Sequence, residues 1–163
     1  MKELNFQPAK SKEDFRKNYK LHDHAEYHGK NLFSQWGIDF KDYGRDRRYE
    51  RVWEKGEDKP DIVAEYGTTQ FLIDWKGKAK EAFWVNERAI KSYETWSNKL
   101  NLPVVVAFFI FDKAGFLKDR RFAVLSKHNY ILSENEAWDK NKIVKFEKTL
   151  PKFTKYNLLN SLS

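Results

Sequence analysis

Cysteine is absent from this sequence of 163 residues, which excludes disulfides, thiolate nucleophiles and cysteine-based zinc sites. Glycine and proline are scarce, with 7 and 4 residues, and no glycine-rich loop has the spacing of the common phosphate-binding motifs. No apolar run approaches the ~20 residues that a membrane-spanning helix needs, and residues 1–15 lack the apolar stretch of a signal peptide. We therefore expect a soluble, cytoplasmic protein with no membrane partner.

Aromatic residues, in contrast, make up 17% of the chain, which is too many for a disordered segment and predicts a packed core. The length suits one domain over residues 1–163, and we find no repeat or linker-like stretch that divides it.

The formal net charge is +7, and the excess of basic residues lies in the last third. Residues 113–163 carry 11 basic and 5 acidic side chains, whereas residues 61–112 carry 6 and 7. A basic surface attracts polyanions such as nucleic acid, because binding neutralises phosphates and releases counterions.

The first predicted element is a long helix, with Ser11 as its N-cap and Gly37 after its end. An inward stripe at helical spacing runs through positions 15, 19, 22, 26, 29, 33 and 36, which are mostly apolar or aromatic. His22 and Glu26 are anomalous on that stripe, because both are polar.

Further along the chain, the pattern predicts a second helix over residues 86–100 and a turn-rich passage over 41–48. Residues 104–111 are apolar throughout, as a strand buried on both faces must be. The other predicted strands are residues 49–53, 61–66, 70–75, 122–125 and 143–146, with a helix or loop between the last two. This order predicts a mixed α/β sheet with a crossover helix.

The candidate catalytic residues lie on or beside the strand predicted at residues 70–75. Alternation places Asp74 and Lys76 on the same face, and a tight turn at residues 67–69 would bring Asp61 beside them. Two carboxylates can bind Mg²⁺, which activates water for phosphodiester hydrolysis, while an ammonium orients that water and offsets charge. Glu26 could add an oxygen ligand from the first helix, although a plain ion pair would also explain Asp74 and Lys76.

This arrangement resembles the PD-(D/E)XK nuclease superfamily, in particular its archaeal Holliday-junction-resolvase-like members. Asp61 and Asp74 match the two motif acids, Lys76 matches the motif lysine, and Glu26, eleven residues before Gly37, matches the acid of the first helix. The resemblance covers about residues 14–111 and implies a restriction-endonuclease-like core in the order α-β-β-β-α-β, followed by a basic C-terminal extension over residues 113–163.

The resemblance also implies an activity, namely that of a Mg²⁺- or Mn²⁺-dependent deoxyribonuclease. Asp61, Asp74 and the Trp75 backbone carbonyl would bind the metal together with Glu26, and Lys76 would position the water. Residues 113–163 match nothing in the family, so the choice of substrate stays open between a junction, a flap, a duplex site and a free end. Cleavage of paired strands would favour a symmetric homodimer.

Two alternatives stay open. The first is a non-catalytic nucleic-acid-binding module on the same fold, although binding alone needs no acidic cluster facing a polyanion. The second is a zinc hydrolase that uses His24 and His28, which share a helix face at i, i+4. Glu26 points away from that pair, and His128 is the only further histidine outside this helix.

Two groups of basic residues are candidates for DNA contacts, one in the turn-rich passage and one at the start of a late strand. They are Arg45, Arg47 and Arg48 in the first group, and Lys118, Arg120 and Arg121 in the second.

Overall fold

The structure is a computed structural model, and it describes residues 12–43, 59–136 and 142–163, with side chains for 20–43, 59–133 and 142–163. The helices in these ranges are α1 (Lys12–Trp36), α2 (Glu87–Leu100) and α3 (Lys155–Leu162). The strands are β1 (Asp39–Asp42), β2 (Ile62–Tyr66), β3 (Thr69–Lys78), β4 (Trp84–Asn86), β5 (Val104–Phe111), β6 (Leu117–Val124), β7 (Tyr130–Glu136) and β8 (Lys142–Phe146). None of these helices has the length and apolar character that crossing a membrane requires.

Five strands form the main sheet in the order β1-β2-β3-β5-β6. β3 and β5 are parallel and are connected through the crossover helix α2, whereas the other neighbours are antiparallel. A smaller sheet has the order β4-β8-β7. The expected mixed α/β sheet flanked by helices is therefore confirmed. The chain follows the order α1, β1, β2, β3, α2 and β5, with β4 of the smaller sheet between β3 and α2; its first strand is β1, whereas the strand expected over 49–53 lies outside the described residues.

The two faces of the main sheet bury separate clusters, because successive strand residues point to opposite sides. Trp75 and Phe109 face α1 and α3, and the C-terminal residues Phe153 and Leu158 complete this cluster. The opposite face packs against α2 and the smaller sheet, as shown by the contacts of Phe108. All eight residues of β5 are buried, as its apolar sequence predicts.

Helix α1 lies directly on β3, and two glycines allow this close approach. A Cβ on Gly29 would overlap the Trp75 ring, and a Cβ on Gly77 would overlap the backbone carbonyl of Leu21. The ring of Trp75 is fully buried, so it cannot move aside into solvent. The contact fixes the part of α1 that neighbours the predicted site.

Three local expectations differ from the structure. The buried line of α1 runs through Ala25, Gly29 and Phe33, so Glu26 lies on its flank rather than on it. Residues 39–42 form β1, which overlaps the passage expected to be turns. The sequence gives little sign of this strand because it lies at an exposed edge, where only Phe40 packs inward. Residues 130–136 form β7 rather than a helix or loop, since they pair with β8.

Other expectations can be compared directly. α1 ends at Trp36, and Gly37 follows with a positive φ of 76°, as predicted. The strands expected over 122–125 and 143–146 are present as β6 and β8, although β6 begins earlier. Ser11 and the strand expected over 49–53 lie outside the described residues.

Candidate active site

Asp61 immediately precedes β2, where the chain enters the main sheet. Its backbone amide donates to the Ile73 carbonyl at 3.0 Å, and its Oδ2 accepts a hydrogen bond from the Trp75 amide at 2.8 Å. The β2–β3 hairpin therefore holds the Asp61 carboxylate against the edge of β3. Only 17% of this side chain is exposed.

Asp74 and Lys76 share a face of β3, as the alternation predicts. The Asp74 side chain is 6% exposed, and Lys76 Nζ lies 3.1 Å from its Oδ2. The Lys76 ammonium also lies 6.0 Å from the centre of the Tyr93 ring on α2. Asp74 Oδ2 is buried, and the Lys76 ammonium is the charged group that faces it.

The two carboxyl groups interact directly. Burial raises the pKa of Asp61 well above its usual range, and the Asp74 carboxylate raises it further, against the Trp75 amide and the Lys76 charge, which lower it. When both acids are ionised their like charges repel, and the Lys76 ammonium offsets only part of that repulsion. A shared proton or a bound cation removes the remainder.

Donors suited to a divalent cation converge at this place. The Trp75 amide points toward Asp61, and in an extended strand the carbonyl of the same residue points to the same side. Carboxylate and backbone carbonyl oxygens are the ligands that Mg²⁺ and Mn²⁺ prefer. Asp74 Oδ2 is buried beside the Lys76 ammonium, and the two carboxyl groups supply oxygens of the kind that such an ion requires, so the residues present fit the metal that the sequence predicts.

Glu26 makes an ion pair within α1. Its Oε2 lies 2.8 Å from Lys30 Nζ, which also lies 2.8 Å from Asp42 Oδ1 on β1. Burial alone would lower the pKa of Lys30, but the hydrogen bonds to Asp42 and Glu26 raise it overall. Lys30 therefore stays charged and holds Glu26 on the flank of the helix.

Another polar side chain of α1, that of His22, faces Asp61. Its Nε2 lies 3.9 Å from Asp61 Oδ1. Ligand atoms of His22, Asp23 and Glu26 lie within 4.8 Å of one another. The sequence marks His22 as anomalous on the inward stripe, where a hydrogen-bonded core residue is a more common role than a metal ligand, and its position one turn before Glu26 was the available signal.

Lys78 continues the same face of β3 beyond Lys76. Its Nζ donates to the Trp84 carbonyl at 2.8 Å and so ties β3 to β4. Burial and, to a smaller extent, the charge of Lys76 lower the pKa of Lys78 to about 8, while Asp74 acts in the opposite direction.

The predicted basic strand divides into two parts with different contacts. Arg121 is engaged within the protein, because its Nε pairs with Asp119 Oδ2 at 2.9 Å and its Nη1 donates to the Leu150 carbonyl at 2.8 Å. The others border a cavity of about 260 Å³ on β6, which we call the basic pocket; its lining residues are Leu117, Lys118, Asp119, Arg120, Lys152 and Thr154.

No pattern in the sequence predicted that Lys152 would line the basic pocket. It reaches β6 only because the chain after β8 folds back, with the Phe122 amide donating to the Pro151 carbonyl and the Phe153 amide to the Arg120 carbonyl. The other predicted basic group, Arg45, Arg47 and Arg48, lies outside the described residues.

The histidine pair of the zinc alternative packs against aromatic residues. The rings of His24 and His28 lie 5.6 and 5.5 Å from the Phe111 ring. Burial lowers the pKa of His28, and His24 and Arg120 lower it further. Within the described ranges, neither histidine belongs to a group of three or more potential metal ligands, so the structure lends this alternative no support.

No model of a known protein family matches the sequence, and neither does any curated protein. The structure, however, is similar to that of Hjc, a Holliday junction resolvase from the archaeal hyperthermophile Archaeoglobus fulgidus. The TM-score is 0.53 at 17% sequence identity, and the match covers 85% of this chain and 99% of the resolvase chain. This similarity establishes the fold, and the expected restriction-endonuclease-like architecture is confirmed.

Proposed function

We propose that this protein is a metal-dependent nuclease of the PD-(D/E)XK type that hydrolyses phosphodiester bonds in DNA. The observation that carries the proposal is the pair of sequestered carboxylates, Asp61 and Asp74, held against one edge of β3 with Lys76 at 3.1 Å. The resolvase-like fold supports it, and makes an endonuclease acting on branched DNA the first substrate class to test.

Asp61, Asp74 and the Trp75 carbonyl would hold Mg²⁺ or Mn²⁺, with Glu26 as an outer contributor. When bound, the ion would lower the pKa of a coordinated water and offset the charge that develops on the phosphate. Asp61 is oriented for this role by the Trp75 amide, and Asp74 is shielded from bulk water by the sheet and α2.

Lys76 would act on the attacking water and on the charge of the transition state. Its ammonium is held beside Asp74, and the Tyr93 ring lies on its other side at 6.0 Å. A cation fixed in a partly water-excluded site stabilises developing negative charge more strongly than it does in bulk water.

The basic pocket would bind a DNA phosphate away from the cleaved bond. In the sheet register, Lys76 on β3 is paired with Phe108 on β5, and Phe108 is paired with Arg121 on β6. The basic pocket on β6 therefore lies two strands away from the carboxylates, about 10 Å across the sheet. Lys118, Arg120 and Lys152 form no ion pair with a carboxylate among the described residues, so their charge is available to a polyanion. A homodimer would present two such surfaces for paired cleavage.

The test is cleavage of end-labelled DNA by the parent protein and Asp74→Asn. The panel contains a four-way junction, a flap, a linear duplex and a single strand, each with Mg²⁺, Mn²⁺, Ca²⁺ or EDTA. Glu65→Gln is the matched control, because it removes a charge from an exposed position of the same hairpin.

We expect cleavage by the parent and by Glu65→Gln with Mg²⁺ or Mn²⁺, binding with little turnover in Ca²⁺, and no cleavage by Asp74→Asn. Robust cleavage in EDTA, or unchanged cleavage by Asp74→Asn, would contradict the mechanism. Binding of DNA without cleavage under every condition would instead favour the non-catalytic module.

A further inference from the structure

We propose that His22 supplies a nitrogen ligand from α1 to the ion held by Asp61, and that it biases the site toward Mn²⁺ over Mg²⁺. This inference rests on the proposed function, because it concerns the same metal site.

The distance between His22 and Asp61 fits a shared ion better than a direct contact. Nε2 and Oδ1 are 3.9 Å apart, which is too far for a hydrogen bond. One ion with bonds of about 2.1 Å to each of two atoms can join atoms up to about 4.2 Å apart. The imidazole and the carboxylate are therefore both within reach of one cation.

The position of His22 is set by the packing of α1. Its neighbour Leu21 contacts β3 through the glycine at position 77, and Gly29 further along the helix lies on the Trp75 ring. The two contacts on β3 are at Gly77 and at Trp75, which follows Asp74 in the strand and whose amide donates to Asp61. His22 is consequently presented to the site by rigid elements rather than by a loop.

The surroundings of His22 are acidic. Asp23 and Glu26 bring ligand atoms within 4.8 Å of it and of each other, and Asp61 lies on its other side. Lys30 is already engaged by Glu26 and Asp42. A cation at His22 would thus meet carboxylates from two elements.

A second observation concerns the carboxyl partner of Asp61. Asp74 is buried and interacts with Asp61, and its Oδ2 lies 3.1 Å from Lys76 Nζ. The carboxyl group that faces His22 therefore belongs to a pair of sequestered acids, a setting that favours a bound cation.

The nitrogen ligand determines the expected metal preference. Mg²⁺ takes oxygen ligands almost exclusively, whereas imidazole is a good ligand for first-row transition metals. His22 should therefore strengthen Mn²⁺ binding more than Mg²⁺ binding.

The experiment is a Mn²⁺ titration of the whole chain followed by electron paramagnetic resonance, with Mg²⁺ as the competitor. Pulsed measurements on the bound Mn²⁺ report coupling to an imidazole nitrogen. The variants are His22→Ala and His22→Gln, and the control is His24→Ala, which removes an imidazole two residues away that packs on Phe111. Circular dichroism in EDTA verifies that each variant is folded.

We expect nitrogen coupling in the parent and in His24→Ala, its loss in both His22 variants, and a fall in Mn²⁺ affinity of about tenfold or more with a smaller change for Mg²⁺. Mn²⁺ bound by the parent without nitrogen coupling, or equally well by His22→Ala, would overturn this inference. If those results accompany loss of Mn²⁺ binding in Asp74→Asn, the proposed function stands and only the role of His22 fails. If the parent binds no Mn²⁺, both fail.

Discussion

Asp61 and Asp74 are two acids placed where water has limited access, which makes them unfavourable for the unbound protein. The raised pKa of Asp61 reflects burial first and the neighbouring carboxylate second. Lys76 lies 3.1 Å from Asp74 and offsets part of this charge. Such an arrangement is typical of a site kept for function rather than for stability.

At this scale we predict separate roles for Lys76 and Asp74. Lys76→Ala should lower the single-turnover rate of DNA cleavage by about 10²-fold or more, because the water loses its positioning group. Mn²⁺ affinity should be unchanged or slightly higher, since a like charge next to the ion is removed. The measurements are single-turnover cleavage and Mn²⁺ titration, with the exposed Lys80→Ala as control. Loss of Mn²⁺ binding as complete as in Asp74→Asn would contradict this assignment.

The sequence allowed Asp61, Asp74 and Lys76 to be brought together, because strand alternation and a short turn determine their positions. It did not predict that Ala25, rather than Glu26, lies on the buried line of α1. Small residues at positions 25 and 29 let the helix approach Trp75, and hydropathy spacing does not register such a contact. The relation of His22 to Asp61 depends on this rotation of the helix, so it was also missed.

Among the elements, the contact between α1 and β3 positions the candidate site. Gly29 lies where any side chain would meet the Trp75 ring, and Trp75 supplies the amide that orients Asp61. A displacement of the helix therefore changes both the core and the distance between His22 and Asp61.

Gly29→Ala should destabilise the protein by about 1–3 kcal/mol, because the added methyl overpacks a fully buried ring. At an ordinary helix position the same change would stabilise by roughly 1 kcal/mol, so the sign of the effect is informative. Urea denaturation measures it, with Asn31→Ala at an exposed position of α1 as control. A Gly29→Ala protein more stable than the parent would contradict the described packing.

The elements that sequence patterns predicted best are those buried on one or both faces. β5 and α2 agree closely with expectation, because a continuous apolar run and a helical stripe are strong signals. β1 and β7 were missed because edge strands keep polar, exposed residues and depend on their partners β2 and β8 for pairing. Pairing between distant segments is not encoded in local periodicity.

At the scale of the whole molecule, the basic last third of the chain folds back onto the main sheet. β6 pairs with β5, and the segment before α3 packs on β6, which creates the basic pocket beside a core shared with α1. The position of the charge is therefore a consequence of tertiary folding, which the composition alone could not provide.

Replacing Lys118, Arg120 and Lys152 together by Gln should reduce the slope of log affinity against log salt for DNA by about 2 to 3, if each contacts one phosphate. The measurement is a fluorescence-anisotropy titration in Ca²⁺ at several salt concentrations. The control replaces Lys127, Lys142 and Lys148, which are exposed elsewhere in the same third and carry the same total charge. Equal reductions in both variants would show that the pocket has no special part in binding.

The central claim is that Asp61 and Asp74 are held for a divalent cation, and thermal unfolding tests it most directly. Asp74→Asn retains the shape of the side chain but removes one of two interacting charges, which near a protein surface repel by a few kcal/mol at an effective dielectric of ~20. In EDTA, the Tm of Asp74→Asn should therefore equal or exceed that of the parent. Mg²⁺ should raise the Tm of the parent alone, because only the parent binds the ion.

The same melting curves, recorded for both proteins with EDTA and with Mg²⁺, also define the opposite outcome. If Asp74 served only an ion pair with Lys76, its replacement would lower the Tm and Mg²⁺ would affect neither protein. A destabilised Asp74→Asn together with a parent that is indifferent to Mg²⁺ would contradict the account, whereas an equally or more stable variant and a parent stabilised by Mg²⁺ is the result that it predicts.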